Sequence, residues 1–297
     1  MATRILLVLI ALAGAAAAQP AKLTVGIYAP TVEFGTAQAR LAYVQGLAKA
    51  IEQATSIPTS AQSYATLGAL KKDDPDFAII DGACYATNLG WKLLANANIG
   101  GSTVRQWALF SSAGDTMAAV KGKKLAYVAT GCNDTGFIDN AMLESEVDSS
   151  YFGARVGEKD LTAAVASVAS YKTAQAVFAP VGSAKGLAKV YDAGPVPNPA
   201  FVETGNKIPN NVADKVAAAV VGYGGSGAIG GWSRPAKEPY QGLAARMAPV
   251  KKAGLFAQPE PGRIGAAEPV VDPPTLKDPA PVALRHHWVR PPGVRME

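Results

Sequence analysis

Apolar and polar positions along the chain repeat in two rhythms. Residues 22–28, KLTVGIY, alternate as a half-buried strand does, and Ala29-Pro30 closes the run. From 36 to 54, Leu41, Tyr43, Val44, Leu47, Ala48 and Ile51 recur at three- and four-residue spacing. That spacing predicts a helix, which Ser56-Ile57-Pro58 breaks. A short helix over 64–72, a buried strand DFAII at 76–80 and a helix over 85–94 follow. Further strands are predicted at 106–111, 125–129, 174–178 and 187–191, with helices from 137, over 160–170 and over 210–221. An extended crossover at 195–199 leads into an apolar run at 200–203. Strand–helix alternation predicts an α/β fold. In such sheets ligands sit beyond the carboxyl ends of the strands, where the loops 29–35, 81–85 and 130–136 lie.

The stretch 123–143, KKLAYVATGCNDTGFIDNAML, concentrates the candidate chemistry. An apolar strand runs into small and polar residues, then into Phe137, Ile138, Ala141, Met142 and Leu143 at helical spacing. Unpaired N–H groups at such a helix start, with the helix dipole behind them, suit a small anion. The same residues also fit an ordinary junction in which Asn133, Asp134 or Thr135 only caps the helix.

Beyond 221 the pattern fades. Residues 222–231 hold six glycines, and 235–297 hold 12 of the 21 prolines. A segment so composed predicts an extended, partly polyproline-like, disordered C-terminal tail.

Residues 1–18 join Arg4, an apolar core from Ile5 to Leu12 and Ala16-Ala17-Ala18, the pattern of a secretory signal peptide cut near Ala18. The core falls short of the about 20 residues a spanning helix needs. A periplasmic protein is expected, touching membrane only indirectly. The net charge is +5, one unit of it from Arg4, with no basic run interleaved with aromatics, which argues against nucleic acid. His286 and His287 stand near the C-terminus, far from Cys84 and Cys132, the two cysteines. That spacing offers no metal site, no cofactor site and no catalytic residues, so an enzyme is not expected.

Four local patterns together resemble a known family. They are YATL with DFAIIDGACY at 64–67 and 76–85, MAAVKGKKLAYV at 117–128, the turn 130–136, and VPNPAFV at 196–202. In this order they resemble the phosphate/phosphonate-type periplasmic substrate-binding proteins of ABC transporters. The resemblance implies a two-lobed architecture, with residues 22–104 plus 198–234 as one lobe, 105–197 as the other, and 235–297 as the Pro-rich tail. It implies a small polar, anionic ligand in the cleft, held by Thr31, Asp81, Tyr85, Asn133, Thr135 and the Gly136 amide, with an ABC permease as partner.

The departures from the family matter. Cys132, Asn133 and Asp134 replace its hydroxyls, and Asp134 puts a negative charge at the proposed anion turn. No arginine falls in the three loops, and Arg40 is expected to face solvent. In the implied lobes, Cys84 and Cys132 follow strands that end at one cleft, and in an oxidising compartment a disulfide is expected as readily as two separate buried thiols. A bridge would favour a redox-gated cleft or the alternative function, a sensor or envelope-assembly protein whose tail docks an envelope partner.

Overall fold

The structure, a computed structural model, describes residues 20–249 except 148, 206 and 226. The expected signal peptide and the tail from 250 onward lie outside the described residues. The chain begins β1 (Leu23–Tyr28), α1 (Ala37–Thr55), β2 (Thr59–Ser63), α2 (Leu67–Asp73), β3 (Phe77–Ile80), α3 (Gly82–Ala86), β4 (Lys92–Asn98). A second group follows: β5 (Val104–Ser111), α4 (Met117–Val120), β6 (Lys124–Val128), a π-helix (Gly136–Met142), β7 (Ala154–Glu158), α5 (Leu161–Ala169), β8 (Ala176–Pro180) and β9 (Ala188–Pro197). The chain then returns through β10 (Ala200–Glu203), α6 (Asn210–Val221), β11 (Gly231–Ser233) and α7 (Glu238–Met247).

These elements build two sheets, ordered β11-β4-β10-β3-β1-β2 and β7-β6-β8-β5-β9. Each sheet is mixed. In the first, β1 runs parallel to β2 and β3 while β10 is antiparallel to both neighbours, β3 and β4. The second repeats the plan, with β6 parallel to β7 and β8 and β5 antiparallel to β8 and β9. The result is a two-lobed α/β protein, one lobe per sheet.

The apolar rhythm explains the packing. Tyr43, Val44, Leu47 and Ile51 bring one face of α1 onto the first sheet, where Phe77 and Phe201 stack with ring centroids 5.8 Å apart. Thr36 caps α1 by accepting the Ala39 N–H, and Ser56 ends it in the left-handed region at φ 59°. Asp160 caps α5 in the same way through Ala163 N–H.

Three expectations change. The segment 85–94 is not one helix: α3 stops at Ala86, and Lys92 opens β4. Its leucines and alanines suit a helix, but here they fill a strand between β10 and β11, and tertiary pairing overrides that preference. The crossover at 195–199 begins inside β9, which extends to Pro197. The start of the expected tail is also structured. Asn96 exchanges two hydrogen bonds with the Ala236 backbone, at 2.8 and 3.0 Å. The helix α7 then buries Tyr240, Leu243 and Met247. Pro239 sits in its first turn, where the missing N–H costs nothing.

Candidate functional site

The lobes meet along a seam formed by the loops after β1, β3, β6 and β7. On the first lobe, Asp81 is 1% exposed and caps α3. Its carboxylate accepts the Ala83 N–H at 3.1 Å, the Thr31 N–H at 3.2 Å and the Thr31 hydroxyl. Burial pushes the Asp81 carboxyl up, opposed by those hydrogen bonds and by the Arg105 charge. Arg105 donates from Nε to Asn198 Oδ1 at 2.8 Å and from Nη2 to the Thr31 carbonyl at 3.2 Å. It thereby fixes the loop after β1 to the crossover between the lobes. Burial holds the Arg105 guanidinium below its usual range, and Asp81 and Glu33 act against that.

On the second lobe the turn 130–136 satisfies itself. Asp134 accepts the Thr130 N–H and the Gly131 N–H, both at 3.1 Å, and the Thr130 hydroxyl. Cys132 N–H donates to Thr130 Oγ1, Gly136 N–H to Asn133 Oδ1, and Phe137 N–H to the Asn133 carbonyl. The left-handed φ of 61° at Asn133 makes that last wrap possible, since asparagine tolerates it. A Cβ built on Gly136 would stand 2.6 Å from the Met247 carbonyl, so the start of the π-helix abuts the C-terminal end of α7. The amides of Gly131 and Gly136 are thus engaged by the chain's own carboxylate and amide, and Asn133 accepts a helix-start N–H as a cap does.

Cys84 and Cys132 form a disulfide across the seam, with Cα atoms 4.9 Å apart. It lies in a buried cluster with Tyr28, Tyr64, Tyr85 and Tyr240. Tyr28 also crosses the seam, its hydroxyl donating to the Thr130 carbonyl at 2.9 Å.

Two cavities open along the seam. The inner one is about 20 Å³, space for little more than one water. Thr31, Asp81, Thr130 and Asp134 line it together with Trp107 and Phe178. The Trp107 Nε1 there has no hydrogen-bond partner among the described residues. The outer cavity is about 250 Å³ and lies between the first turns of α1 and α5. Arg40 and Lys159 face into it from opposite lobes, with Thr36, Asp160 and Thr162 on its walls and Phe34 as an apolar side. Arg40 Nε donates to Ser63 Oγ at 2.8 Å, and neither cation is in an ion pair among the described residues.

No family model matches the chain, and no curated protein does. Solved structures do. XAC2383 from Xanthomonas citri superposes with a TM-score of 0.59 at 12% identity, over 77% of this chain and 98% of that one. PhnD1 from Prochlorococcus marinus, in complex with methylphosphonate, gives 0.59 at 10% identity over 76% and 97%. The binding protein component of an ABC phosphonate transporter from Pseudomonas aeruginosa gives 0.56 at 13% over 73% and 82%. The fold is that of the periplasmic binding proteins. At such identities the likeness carries the fold and leaves the ligand to this chain's own residues.

Within the binding-protein fold the expected site residues separate. Thr31 and Asp81 stand together on the inner cavity. Tyr85 does not reach it: its side chain is fully buried, its ring packs edge-on against Tyr240 at 4.8 Å, and its hydroxyl donates to the Trp91 carbonyl. Asn133 and Gly136 are occupied with each other, and Thr135 is exposed with no capping bond. Arg40, expected to face solvent, is half-buried and lines the open outer cavity. Its signal was present, because Arg40 precedes Tyr43, Val44 and Leu47 by three, four and seven residues and so shares their buried face. Lys159 carried none, since the strand before it, β7, is too short and polar to read.

Proposed function

We propose that this chain is a periplasmic solute-binding protein that holds a small phosphonate- or phosphate-like anion between its lobes for an ABC permease. The ligand site is the outer cavity rather than the turn 130–136. The observation that carries the reading is that Arg40 and Lys159, neither in an ion pair among the described residues, line one cavity of about 250 Å³ from opposite lobes. That volume lies just under the ~300–1,000 Å³ of pockets for drug-sized ligands, which suits a smaller solute. The first turns of α1 and α5 add the positive ends of two helix dipoles and the amides of Ala37 and Thr162. Asp160 is the one carboxylate on the wall, and Oδ1 is engaged by Ala163 N–H. Methylphosphonate on PhnD1 and ATP on XAC2383 show anions on two proteins of this fold. Export to the periplasm rests on the pattern of residues 1–18 together with the fold.

Titration calorimetry with methylphosphonate and inorganic phosphate tests the reading. Saturable binding is expected in the wild type. Arg40→Gln and Lys159→Gln should each weaken it by about tenfold or more, the value of a charge-assisted hydrogen bond. Wild-type affinity in both variants, or no binding to any anion, would defeat the proposal. The alternative role, in sensing or envelope assembly, draws support from the disulfide across the seam. Docking by the segment 235–297 has less room, because 238–247 is already packed on the protein.

A further inference from the structure

We infer that the two lobes are welded and do not hinge, so that the cleft keeps one shape whether empty or occupied. The inference does not depend on which ligand the outer cavity takes. Binding proteins of this architecture ordinarily close by rotation of one lobe about the crossover strands. Here three independent ties oppose that rotation. The first is covalent: Cys84 belongs to α3 of the first lobe and Cys132 to the loop after β6 of the second. Both are buried, at 0% and 3% exposure, so the bridge is shielded from reductants.

The second tie is α7, which grips both lobes at once. Tyr240 packs on Tyr85, and its hydroxyl donates to the Asn198 carbonyl at 3.0 Å and meets Asn96 Nδ2 at 3.3 Å, all first-lobe or crossover groups. Two turns on, Arg246 donates to the carbonyls of Pro195 at 2.9 Å, Ala193 at 2.7 Å and Ala141. Asn140 Nδ2 donates to the Met247 carbonyl at 3.1 Å, and these partners belong to the second lobe. The third tie is the crossover itself. A Cβ on Gly82 would stand 2.0 Å from the Pro197 carbonyl, so α3 lies directly against the strand that would have to flex.

One amide reports on the seam. Leu161 is the first residue of α5, so its N–H has no acceptor within the helix. It donates instead to the Pro30 carbonyl of the other lobe at 3.0 Å. Any opening of the lobes exposes it, whereas a welded pair exposes it only on global unfolding. Native-state hydrogen exchange by NMR on the full oxidised chain, without ligand, compares Leu161 with the core amides of Ile79 and Val177. Welded lobes predict that Leu161 exchanges in the same slow class as those two. Leu161 exchanging at least tenfold faster than both would overturn the inference.

The complementary variant is Cys84→Ala/Cys132→Ala with Arg246→Gln. It should accelerate Leu161 by an order of magnitude or more while Ile79 and Val177 remain slow relative to it. Unchanged protection of Leu161 in a folded variant would show that these ties do not hold the seam, and would equally overturn the weld. Should the variant fail to fold, the wild-type comparison still decides. Repeating that comparison with methylphosphonate separates this inference from the ligand proposal. In welded lobes a bound anion slows Leu161, Ile79 and Val177 by the same factor through global stability, and an anion that does not bind slows none of them. Slowing of Leu161 alone would overturn the weld.

Discussion

Replacing both Cys84 and Cys132 with alanine is expected to lower the unfolding free energy by about 4 kcal/mol. The bridge joins residues 48 apart in sequence, and a closed loop of that length removes about this much chain entropy from the unfolded state. For a protein of this size each kcal/mol shifts the melting temperature by ~2–4 °C, so the double variant should melt ~8–16 °C lower. Alanine is the right replacement, because both positions are buried among aromatic rings and a serine hydroxyl there would add its own cost. Urea unfolding of both proteins under non-reducing conditions reads the difference. A loss below about 1 kcal/mol would mean that the unfolded chain is compact around this pair, or that the bridge adds little across the seam.

The second large effect belongs to Tyr240. Its side chain is wholly buried between Tyr85 and the backbone of the crossover. Truncating a buried aromatic ring costs about 3–5 kcal/mol. Tyr240→Ala should fall in that range, while Tyr240→Phe, which keeps the ring and loses only hydrogen bonds, should cost about 1 kcal/mol. This contrast separates packing from polar contacts. Values near zero for both would return residues 238–247 to the status of a loosely attached extension.

Much of the architecture was legible in the chain. The strands β1 and β3 and the helix α1 announce themselves by period, and the motif order pointed to two lobes. What the pattern missed has physical causes. β4, with the sequence KLLANAN, lacks β-branched residues and owes its form to β10 and β11 on either side. The helix α7 was masked by a proline count over 235–297, although Tyr240, Leu243 and Met247 keep helical spacing and Pro239 sits where a helix tolerates it.

Part of the seam is legible as well. The strand–helix junction at 130–136 shows in the change of period, and Asp134 stands out as a charge that an anion would resist. What composition could not say is that this carboxylate would occupy the donors itself. Nor could it say that Arg40 and Lys159, 119 residues apart, would meet across a cavity, since only the pairing of the two lobes brings α1 and α5 together.

The location of the ligand is the central claim, and an amide map tests it most directly. A ¹⁵N-labelled sample titrated with methylphosphonate should show saturable shifts at Ala37 and Thr162, in the first turns of α1 and α5, which Arg40→Gln and Lys159→Gln strongly reduce. Gly131 and Gly136, whose amides are held by Asp134 and Asn133, should stay where they are. Saturable shifts centred on Gly131 and Gly136, with Ala37 and Thr162 unmoved, would contradict the account.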